Sequence, residues 1–242
     1  MFTEKTLKNK GLVCNNCEGG SLVFSVDESE KVLFCRDCKA SYPVIDDIPL
    51  MLQTFKDSNQ DTKEEIQSFW RDLYHNAYAS HNNLNNNNLP DLLDELKEMF
   101  IARNHLAVCE MPIAKLKDKK VLEVGCGAGG HSSLFCKEGA HITSLDLTLD
   151  RVVATKKKLD IIDQNKSSLV LQGDAENLPF EDNHFDIVYS NGVLHHTPNT
   201  QKSIDEVRRV LKPGGVAVIM LYAKHSYLYW INIFLLFDRG FT

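Results

Sequence analysis

The sequence predicts an α/β fold, with a doubly wound and mostly parallel sheet preceded by a small metal-binding module. Three observations predict this arrangement. Residues 121–124 form a short apolar strand that runs into several glycines and then into a helical pattern. Strand-like and helix-like stretches alternate after this point, which is typical of parallel sheets. Before it, four cysteines occur as two closely spaced pairs.

Length and charge limit the class of protein. The chain has 242 residues, enough for one sizeable α/β core and a smaller module. Its formal net charge of -6 argues against a broad nucleic-acid-binding surface. The sequence shows neither an apolar leader nor a run of 18 apolar residues, so the expected location is the cytoplasm.

The spacing of the cysteines predicts a structural zinc site. Two C-x-x-C pairs, separated by 17 residues, consist of Cys14, Cys17, Cys35 and Cys38. Four thiolates suit the tetrahedral coordination of Zn²⁺ and leave the ion no open position for catalysis. Residues 21–26 and 31–34 alternate as in a β-hairpin, so the whole indicates a zinc ribbon. Buried or disulfide-paired cysteines are the alternative.

A characteristic phrase follows the ribbon, Tyr-Pro-Val-Ile-Asp-Asp-Ile-Pro from Tyr42 onwards. The ribbon and this phrase together resemble the small Trm112-like family, whose members often precede or partner methyltransferases. The resemblance covers about the first 52 residues and implies a docking or stabilising module. We therefore expect a ribbon at 1–55, a linker with cap helices at 56–113 and a core at 114–242.

Two helices are predicted between the ribbon and the core. Residues 57–65 are polar and indicate a linker, and an aromatic stripe at helical spacing follows in 66–78. The asparagine-rich residues 82–88 indicate an exposed loop, after which Pro90 opens a second helix. We interpret the stripe as packing against the next domain rather than lining a pocket. The two helices could form a lid over a cleft or a bridge between domains.

The glycine turn at 125–130 is the main candidate binding site. Glycine accepts a positive φ and has no Cβ, so a ligand can approach the main chain, while the following helix offers N–H donors. Gly125, Gly127 and Gly130 also satisfy the G-x-G-x-x-G pattern of dinucleotide-binding proteins, and a turn that binds nothing is a further alternative. The turn alone therefore predicts only a nucleotide-like ligand.

Carboxylates follow the next two predicted strands. Asp146 lies near the end of the strand at 141–147, 21 positions after Gly125, where it can accept hydrogen bonds from both hydroxyls of a ribose. Asp174 follows the strand at 168–172 and can accept a hydrogen bond from an exocyclic amine such as that of adenine. It could also be only a turn residue. The two positions favour a nucleoside ligand.

Further polar residues follow the fourth predicted strand, at 184–191. We expect these residues to face the ligand crevice, because the carboxyl ends of parallel strands meet there. They are Ser190, Asn191, His195 and His196.

The last predicted elements are an amphipathic helix at 203–211, a turn at 212–215 and a fifth strand at 216–221. The apolar run at 227–237 is too short to span a bilayer and indicates a buried or interfacial helix. Peripheral membrane contact through this run stays open.

The motifs, taken in order, resemble the class I S-adenosylmethionine-dependent methyltransferases, in particular the ubiquinone and menaquinone methylases. The resemblance spans about residues 119–222 and implies a Rossmann-like core. It rests on Val-Leu-Glu-Val-Gly-Cys-Gly-Ala-Gly at 121–129, Asp146, Gly-Asp-Ala at 173–175, Leu-Pro-Phe at 178–180, Phe-Asp at 185–186 and Leu-Lys-Pro-Gly-Gly at 211–215. A dinucleotide oxidoreductase would not account for the later motifs.

The resemblance also implies which residues bind S-adenosylmethionine. The set is Glu123, Gly125, Cys126, Gly127, Gly129, Asp146, Leu147, Asp174, Ala175, Ser190 and Asn191. Glu123 and the glycines would hold the methionine end and Asp146 the ribose. Asp174 and Ala175 would contact the adenine, while Ser190 and Asn191 would close the cleft near the sulfonium. The family usually adds two strands after the fifth, so we expect the C-terminal strands to be missing or replaced here.

The expected activity is methyl transfer to a small-molecule or lipid-like acceptor. If the acceptor is a hydroxyl, His195 or His196 could serve as the base; otherwise they shape the loop. The alternatives are an RNA methyltransferase that holds its substrate with the ribbon and a non-catalytic adaptor. The mixed charge of the ribbon and the aromatic and apolar helices favour an apolar acceptor over RNA.

Overall fold

The computed structural model describes residues 3–17, 19–27, 30–52, 60–77, 88–102, 111–163 and 167–223. Within these ranges the chain forms a four-stranded antiparallel sheet and a five-stranded parallel sheet with helices around it. The α/β class and the parallel sheet predicted from the sequence are confirmed.

The four-stranded sheet carries the cysteines. Its elements are α1 (Glu4–Asn9), β1 (Leu22–Asp27), β2 (Glu30–Cys35), β3 (Ser41–Ile45) and β4 (Ile48–Pro49). The predicted hairpin is confirmed, because β1 and β2 pair antiparallel with Leu22 opposite Cys35. Strands β3 and β4 are joined by Asp46 and Asp47, both at positive φ, as a tight two-residue hairpin turn requires.

Two helices follow the four-stranded sheet along the chain, α2 (Gln60–Ala77) and α3 (Leu89–Ala102). The linker prediction is wrong for residues 60–65, because they form the first turns of α2. Their polarity reflects a solvated helix face rather than an irregular segment. The predicted loop at 82–88 lies outside the described residues except for Asn88. Helix α3 packs on α4 (Gly130–Lys137) and buries Leu89, Leu93 and Phe100.

The aromatic stripe does not simply pack against the core. Trp70 and Ile66 of α2 line a cavity at the carboxyl ends of the parallel strands, and Phe69 is 60% exposed. The packing interpretation is therefore wrong for these side chains. The helix approaches the sheet over a binding cleft, so its apolar face contacts a cavity wall instead of a filled interior.

The parallel sheet consists of β5 (Lys120–Val124), β6 (His141–Asp146), β7 (Leu169–Gln172), β8 (Phe185–Asn191) and β9 (Leu211–Met220). Its strand order is β7-β6-β5-β8-β9, and all four neighbouring pairs are parallel. Helices α5 (Leu149–Ile162) and α6 (Thr200–Val210) complete the described part. The chain order reverses between β5 and β8, where open α/β sheets place their ligand crevice.

The predicted turn at 212–215 lies inside β9. Leu211 pairs with Phe185 and Val216 with Ile187, so four residues of β9 stand opposite a single residue of β8. Gly214 takes a φ of 76° in this bulge. The predicted strand at 216–221 is confirmed for residues 216–220, and the structure extends it back to Leu211 across the bulge, so the predicted turn lies within a strand.

The ribbon packs directly on the parallel sheet. One buried apolar cluster contains Leu12, Leu33 and Met51 of the ribbon together with Leu171 and Phe180 of the core. The Met51 N–H donates to the carbonyl of Gln172 at 2.8 Å, and Leu50 forms a parallel bridge with Gln172, which continues the sheet beyond β7. The two sheets therefore share one hydrophobic interior.

No helix in the described ranges has the length and apolar character needed to cross a membrane. The apolar run at 227–237 lies outside these ranges.

A buried histidine connects the ribbon to the start of the sheet. His184 is 8% exposed, its Nε2 lies 3.3 Å from Lys120 Nζ, and a Cβ on Gly11 would meet its ring at 2.3 Å. Burial, reinforced by the charges of Lys120, Lys212 and Lys10, lowers the pKa of His184 from 6.5 to about 4. The folded protein therefore holds this imidazole neutral.

We predict an acid-dependent loss of stability from His184. In the unfolded chain this residue takes up a proton as the pH falls through about 6.5, whereas the folded state resists until about pH 4. The free energy of unfolding should therefore decrease as the pH falls from about 6.5 to about 4, and this residue should contribute at most about 3 kcal/mol of the decrease. Urea unfolding of the parent and of His184→Gln between pH 7.5 and pH 4.5 measures it. Equal pH dependence in the two proteins would contradict the assignment, and exposed His141→Gln is the control.

Candidate functional site

The four cysteines of the two C-x-x-C pairs come together. Their sulfur atoms all lie within 4.8 Å of one another, with Cys14 and Cys38 3.6 Å apart and Cys17 and Cys35 also 3.6 Å apart. A tetrahedral Zn²⁺ with bonds of about 2.3 Å would separate its sulfurs by about 3.8 Å. All six described cysteines are free thiols, so the disulfide alternative is not supported within the described ranges. The cluster can hold a metal ion.

The surroundings of the sulfurs favour a thiolate at Cys38, whereas burial raises the pKa of Cys14 and raises that of Cys17 to about 12. Asn16 donates its backbone N–H to Cys14 Sγ at 3.4 Å and its side-chain amide to Cys38 Sγ at 3.3 Å. The Asn16 amide, together with a backbone N–H, lowers the pKa of the Cys38 thiol to about 6. Gly20 closes the second side, where a Cβ would lie 2.5 Å from Cys17 Sγ and 2.7 Å from Cys35 Sγ.

A cavity of about 350 Å³ lies at the carboxyl ends of the parallel strands. This volume is within the range of roughly 300 to 1,000 Å³ typical of small-molecule sites. Predicted residues in its wall are Glu123, Gly125, Cys126, Gly127, Asp146, Leu147, Asp174, Ala175, Asn191 and His196. The structure therefore brings most of the predicted set to one place.

The glycine turn is held mainly by hydrogen bonds within the fold. The N–H groups of Gly125 and Cys126 both donate to the carbonyl of Leu145, at 2.8 and 3.0 Å, and Gly127 N–H donates to Asp146 Oδ2 at 2.9 Å. These three N–H groups are therefore used within the fold, whereas the sequence-based expectation concerned the N–H donors of the helix that begins at Gly130. The turn also requires glycine at position 125, because Gly125 has a φ of 78° and a Cβ there would lie 2.3 Å from the Val193 side chain.

Asp146 lies at the end of β6 and is 7% exposed. Its Oδ2 accepts from Gly127 N–H at 2.9 Å and its Oδ1 from Thr148 N–H at 3.0 Å. Burial raises the pKa of Asp146, while these N–H groups and the charge of Arg151 oppose the rise. Two oxygens offer about four lone-pair sites, so the carboxylate keeps acceptor capacity toward the cavity.

Glu123 is the corresponding carboxylate at the end of β5. It is 2% exposed, accepts a hydrogen bond from the Ser132 hydroxyl, and lies 3.4 Å from His131 Nδ1. Both Glu123 and His131 line the cavity, and the His131 ring packs edge-on against Tyr189 and Phe100. The pair forms a polar corner of the cavity, backed by aromatic rings.

Asp174, after β7, is tied to helix α2. Lys63 Nζ lies 2.7 Å from Asp174 Oδ2 and 3.1 Å from Glu176 Oε2, and Asp174 Oδ1 accepts from Glu176 N–H at 2.8 Å. Burial alone would lower the pKa of Lys63, but the two carboxylates outweigh it and raise the pKa to about 12. Lys63 is therefore charged, and α2 is anchored over this end of the cavity.

Two predicted cofactor residues lie behind the wall rather than in it. Ser190 is fully buried, and its hydroxyl donates to the carbonyl of Val124 at 2.9 Å, so it fastens β8 to β5. Gly129 caps α4 with a φ of 79°, and a Cβ there would collide with Thr155 of α5. Ser190 and Gly129 therefore pack together the strands and helices that form the cavity, and neither residue lines it.

The two predicted catalytic histidines lie in a short 3₁₀ helix, Leu194–His196. Only His196 lines the cavity; its ring packs edge-on against Trp70 with centroids 5.0 Å apart. His195 lies behind it, 4.0 Å from His196 and 4.2 Å from Tyr222 between ring centroids. Burial lowers the pKa of both imidazoles, and His196 adds to the effect on His195.

Sequence reasoning missed several wall residues of the site, among them Lys63, Trp70, His131 and Arg151. Arg151 lies over the Trp70 ring, with its guanidinium 5.3 Å from the ring centroid. His131 directly follows the glycine turn and could have been found from that position. Lys63 and Trp70 carry no such signal, since only the tertiary fold brings α2 to the sheet.

Comparison with known proteins agrees with this geometry. Residues 122–219, from β5 to β9, match the family described as methyltransferase domain. This segment, about two fifths of the chain, is therefore similar to methyltransferase domains.

Relatives of known activity match the same part of the chain. A sterol 24-C-methyltransferase from Gibberella zeae is 41% identical over 101 residues, which cover 40% of this chain and 26% of that enzyme. A fatty-acid O-methyltransferase from Mycolicibacterium smegmatis is 36% identical over 124 residues, which cover 50% of this chain and 43% of that enzyme. The chain thus spans less than half the length of these relatives.

Two solved structures align with part of the chain. An S-adenosylmethionine-dependent methyltransferase from Mesorhizobium loti aligns with a TM-score of 0.38 and 22% identity, covering 42% of this chain and 45% of the other. The PH0226 protein from Pyrococcus horikoshii aligns with a TM-score of 0.43 and 26% identity, covering 59% of this chain and 62% of the other.

Proposed function

We propose that the protein transfers a methyl group from S-adenosylmethionine to a lipophilic small molecule. The observation that carries the proposal is the placement of Glu123, Asp146 and Asp174 at the ends of three neighbouring strands, around one cavity inside the methyltransferase domain. Three carboxylates in this order can accept hydrogen bonds from an amine, a pair of ribose hydroxyls and an adenine amine.

The residues present fit this cofactor. Gly125 and Gly127 form a cradle without side chains beside Asp146, at positive φ angles that other residues rarely adopt. Ala175 and Leu147 provide apolar wall for a purine, and Glu123 with His131 forms the polar corner for the amino-acid end. When bound, the cofactor supplies an electrophilic methyl group on its sulfonium.

The chain's own task is to align the acceptor and, for a hydroxyl, to accept its proton. His196 is the better candidate base, because it lines the cavity and His195 does not. A lowered pKa keeps its ring neutral at pH 7. His195 packs behind it and supports the loop.

The acceptor class is supported by two observations. The named relatives act on a sterol and a fatty acid, both apolar. The cavity mouth of this chain carries Trp70 and Tyr222, and Tyr222 is 63% exposed.

The charges of the ribbon do not favour the alternative that it holds RNA. Lys31 pairs with Asp47 and Arg36 pairs with Glu4, which weakens the positive potential that RNA binding needs.

We further propose that the cysteine cluster binds one structural Zn²⁺ and that the ribbon, as in the Trm112-like family, stabilises the methyltransferase core. The sulfur separations and the glycine contact support zinc, and the shared apolar cluster supports the stabilising role. Helices α2 and α3 then act as the cap of the cavity.

Zinc analysis tests the metal proposal. The purified protein should contain about one zinc per chain, and Cys35→Ser should lose it and unfold at a lower temperature, because small modules depend on their metal. Elemental analysis and calorimetric unfolding measure this. Cys136→Ser lies outside the cluster and should keep its zinc. A zinc-free parent with normal stability would refute the proposal.

Cofactor binding tests the main proposal. Isothermal titration with S-adenosylhomocysteine should show one site, and Asp146→Asn should weaken it about 10- to 100-fold, since hydrogen bonds to a charged group contribute about 1.5–3 kcal/mol. Asp160→Asn, an exposed carboxylate on α5, is the matched control and should bind as the parent does. No binding to the folded parent would exclude the proposed activity.

The pH profile tests the base. Transfer of radiolabelled methyl to a sterol or a phenolic lipid should stay constant from pH 8 to below pH 6.5 and then decline, because only the neutral imidazole accepts a proton. His196→Gln should lower kcat by about 100-fold while leaving S-adenosylhomocysteine affinity unchanged. An unaltered pH profile in this variant would remove His196 from the mechanism.

A further inference from the structure

The ribbon contacts the loop that carries the adenine-side carboxylate. Asn15, between two of the cluster cysteines, is 6% exposed, and its Nδ2 donates to the carbonyl of Asn177 at 3.3 Å. In return, Asn177 Nδ2 donates to the carbonyl of Asn15 at 3.1 Å. These reciprocal hydrogen bonds join the metal knuckle to a residue three positions after Asp174.

The contact extends along the chain on both sides. Residues 11–15 run antiparallel beside residues 177–181, with Val13 N–H donating to the carbonyl of Pro179 at 3.0 Å and Glu181 N–H to that of Gly11 at 2.8 Å. Asn15 Nδ2 also donates to the carbonyl of Met51 at 3.1 Å. One side chain of the knuckle therefore contacts both the loop and the end of the ribbon.

The loop is short and tightly closed between this contact and the cavity. Asp174 and Asn177 form an isolated antiparallel bridge, and Asn177 N–H donates to the carbonyl of Asp174 at 3.1 Å. Asp174 itself lines the cavity. A displacement of Asn177 is therefore transmitted to the Asp174 carboxylate through this turn.

We propose that Asn15 is a positioning residue that couples the metal site to the cofactor site. With the metal bound, the knuckle is rigid and Asn15 fixes the 174–177 loop, so that Asp174 is already placed to meet the adenine amine. The inference rests on the proposed cofactor and metal sites. Coupling of this kind is reciprocal, so the cofactor must also strengthen retention of the metal.

The effect should be partial, because other groups hold the same segment. Lys63 contacts Asp174, and Arg209 donates to the carbonyls of Leu178 and Phe180 at 2.8 and 2.6 Å. Loss of the Asn15 side chain should therefore reduce affinity by about five- to tenfold, as expected for one or two neutral hydrogen bonds.

The experiment uses the full zinc-bound chain with two readouts. The first is the dissociation constant of S-adenosylhomocysteine by titration calorimetry. The second is the rate of zinc transfer to a chromogenic chelator, with and without saturating S-adenosylhomocysteine. In the parent, the nucleoside should slow zinc release about fivefold or more.

Variants on both sides of the contact isolate the coupling. Asn15→Ala and Asn177→Ala should each weaken S-adenosylhomocysteine binding and abolish its effect on zinc release; the second leaves the ribbon sequence intact. Asn16→Ala, an exposed amide in the same knuckle, touches Cys38 but not the loop. Asn16→Ala should release zinc faster than the parent. Its affinity for S-adenosylhomocysteine should equal that of the parent, and S-adenosylhomocysteine should slow its zinc release by the same factor.

The outcomes separate this inference from the proposed function. If the parent, Asn15→Ala and Asn177→Ala all bind S-adenosylhomocysteine equally well with full zinc content, the coupling is wrong and the cofactor site stands. If S-adenosylhomocysteine still slows zinc release in the two variants as it does in the parent, the ribbon has only a stabilising role. Failure of the parent to bind would overturn the cofactor site and the coupling together.

Discussion

The site depends on the anchoring of the glycine turn to the neighbouring strand. Two N–H groups, from Gly125 and Cys126, share the carbonyl of Leu145, and this places the turn beside Asp146. The carboxylate then accepts from Gly127, so turn and strand end become one rigid unit. Because the internal bonds are made before any ligand arrives, the fold bears the ordering cost of the loop and the ligand does not.

Sequence patterns identify the carboxylates well because each one has a local signature. Glu123, Asp146 and Asp174 lie at or just after the end of an apolar strand, and parallel strands bring such positions together without further information. The cysteine pairs are similar, since their ligand spacing is itself local. We therefore attribute the agreement at these residues to short-range patterns combined with one rule of topology.

The differences arise where the local signal is shared by two structures. Polar residues at 60–65 suit a solvated helix as well as a linker, and Gly214 suits a bulge as well as a turn. Lys63 and Trp70 reach the cavity only through the packing of α2, which no nearby motif encodes. Ser190 is the converse case. Its place at the end of β8 predicts that it lines the cavity, but its hydroxyl donates to the carbonyl of Val124 in the neighbouring strand β5.

The bridge from Leu50 to Gln172 has a consequence for the solution behaviour of the core. Strand β7 is the outermost strand on its side of the parallel sheet, and Met51 bonds to its last carbonyl. Exposed strand edges recruit other chains through unpaired backbone groups. The Leu50–Gln172 bridge covers the end of this edge, so a core produced without the ribbon would expose that edge together with the apolar side chains of the shared cluster, and we expect such a core to self-associate.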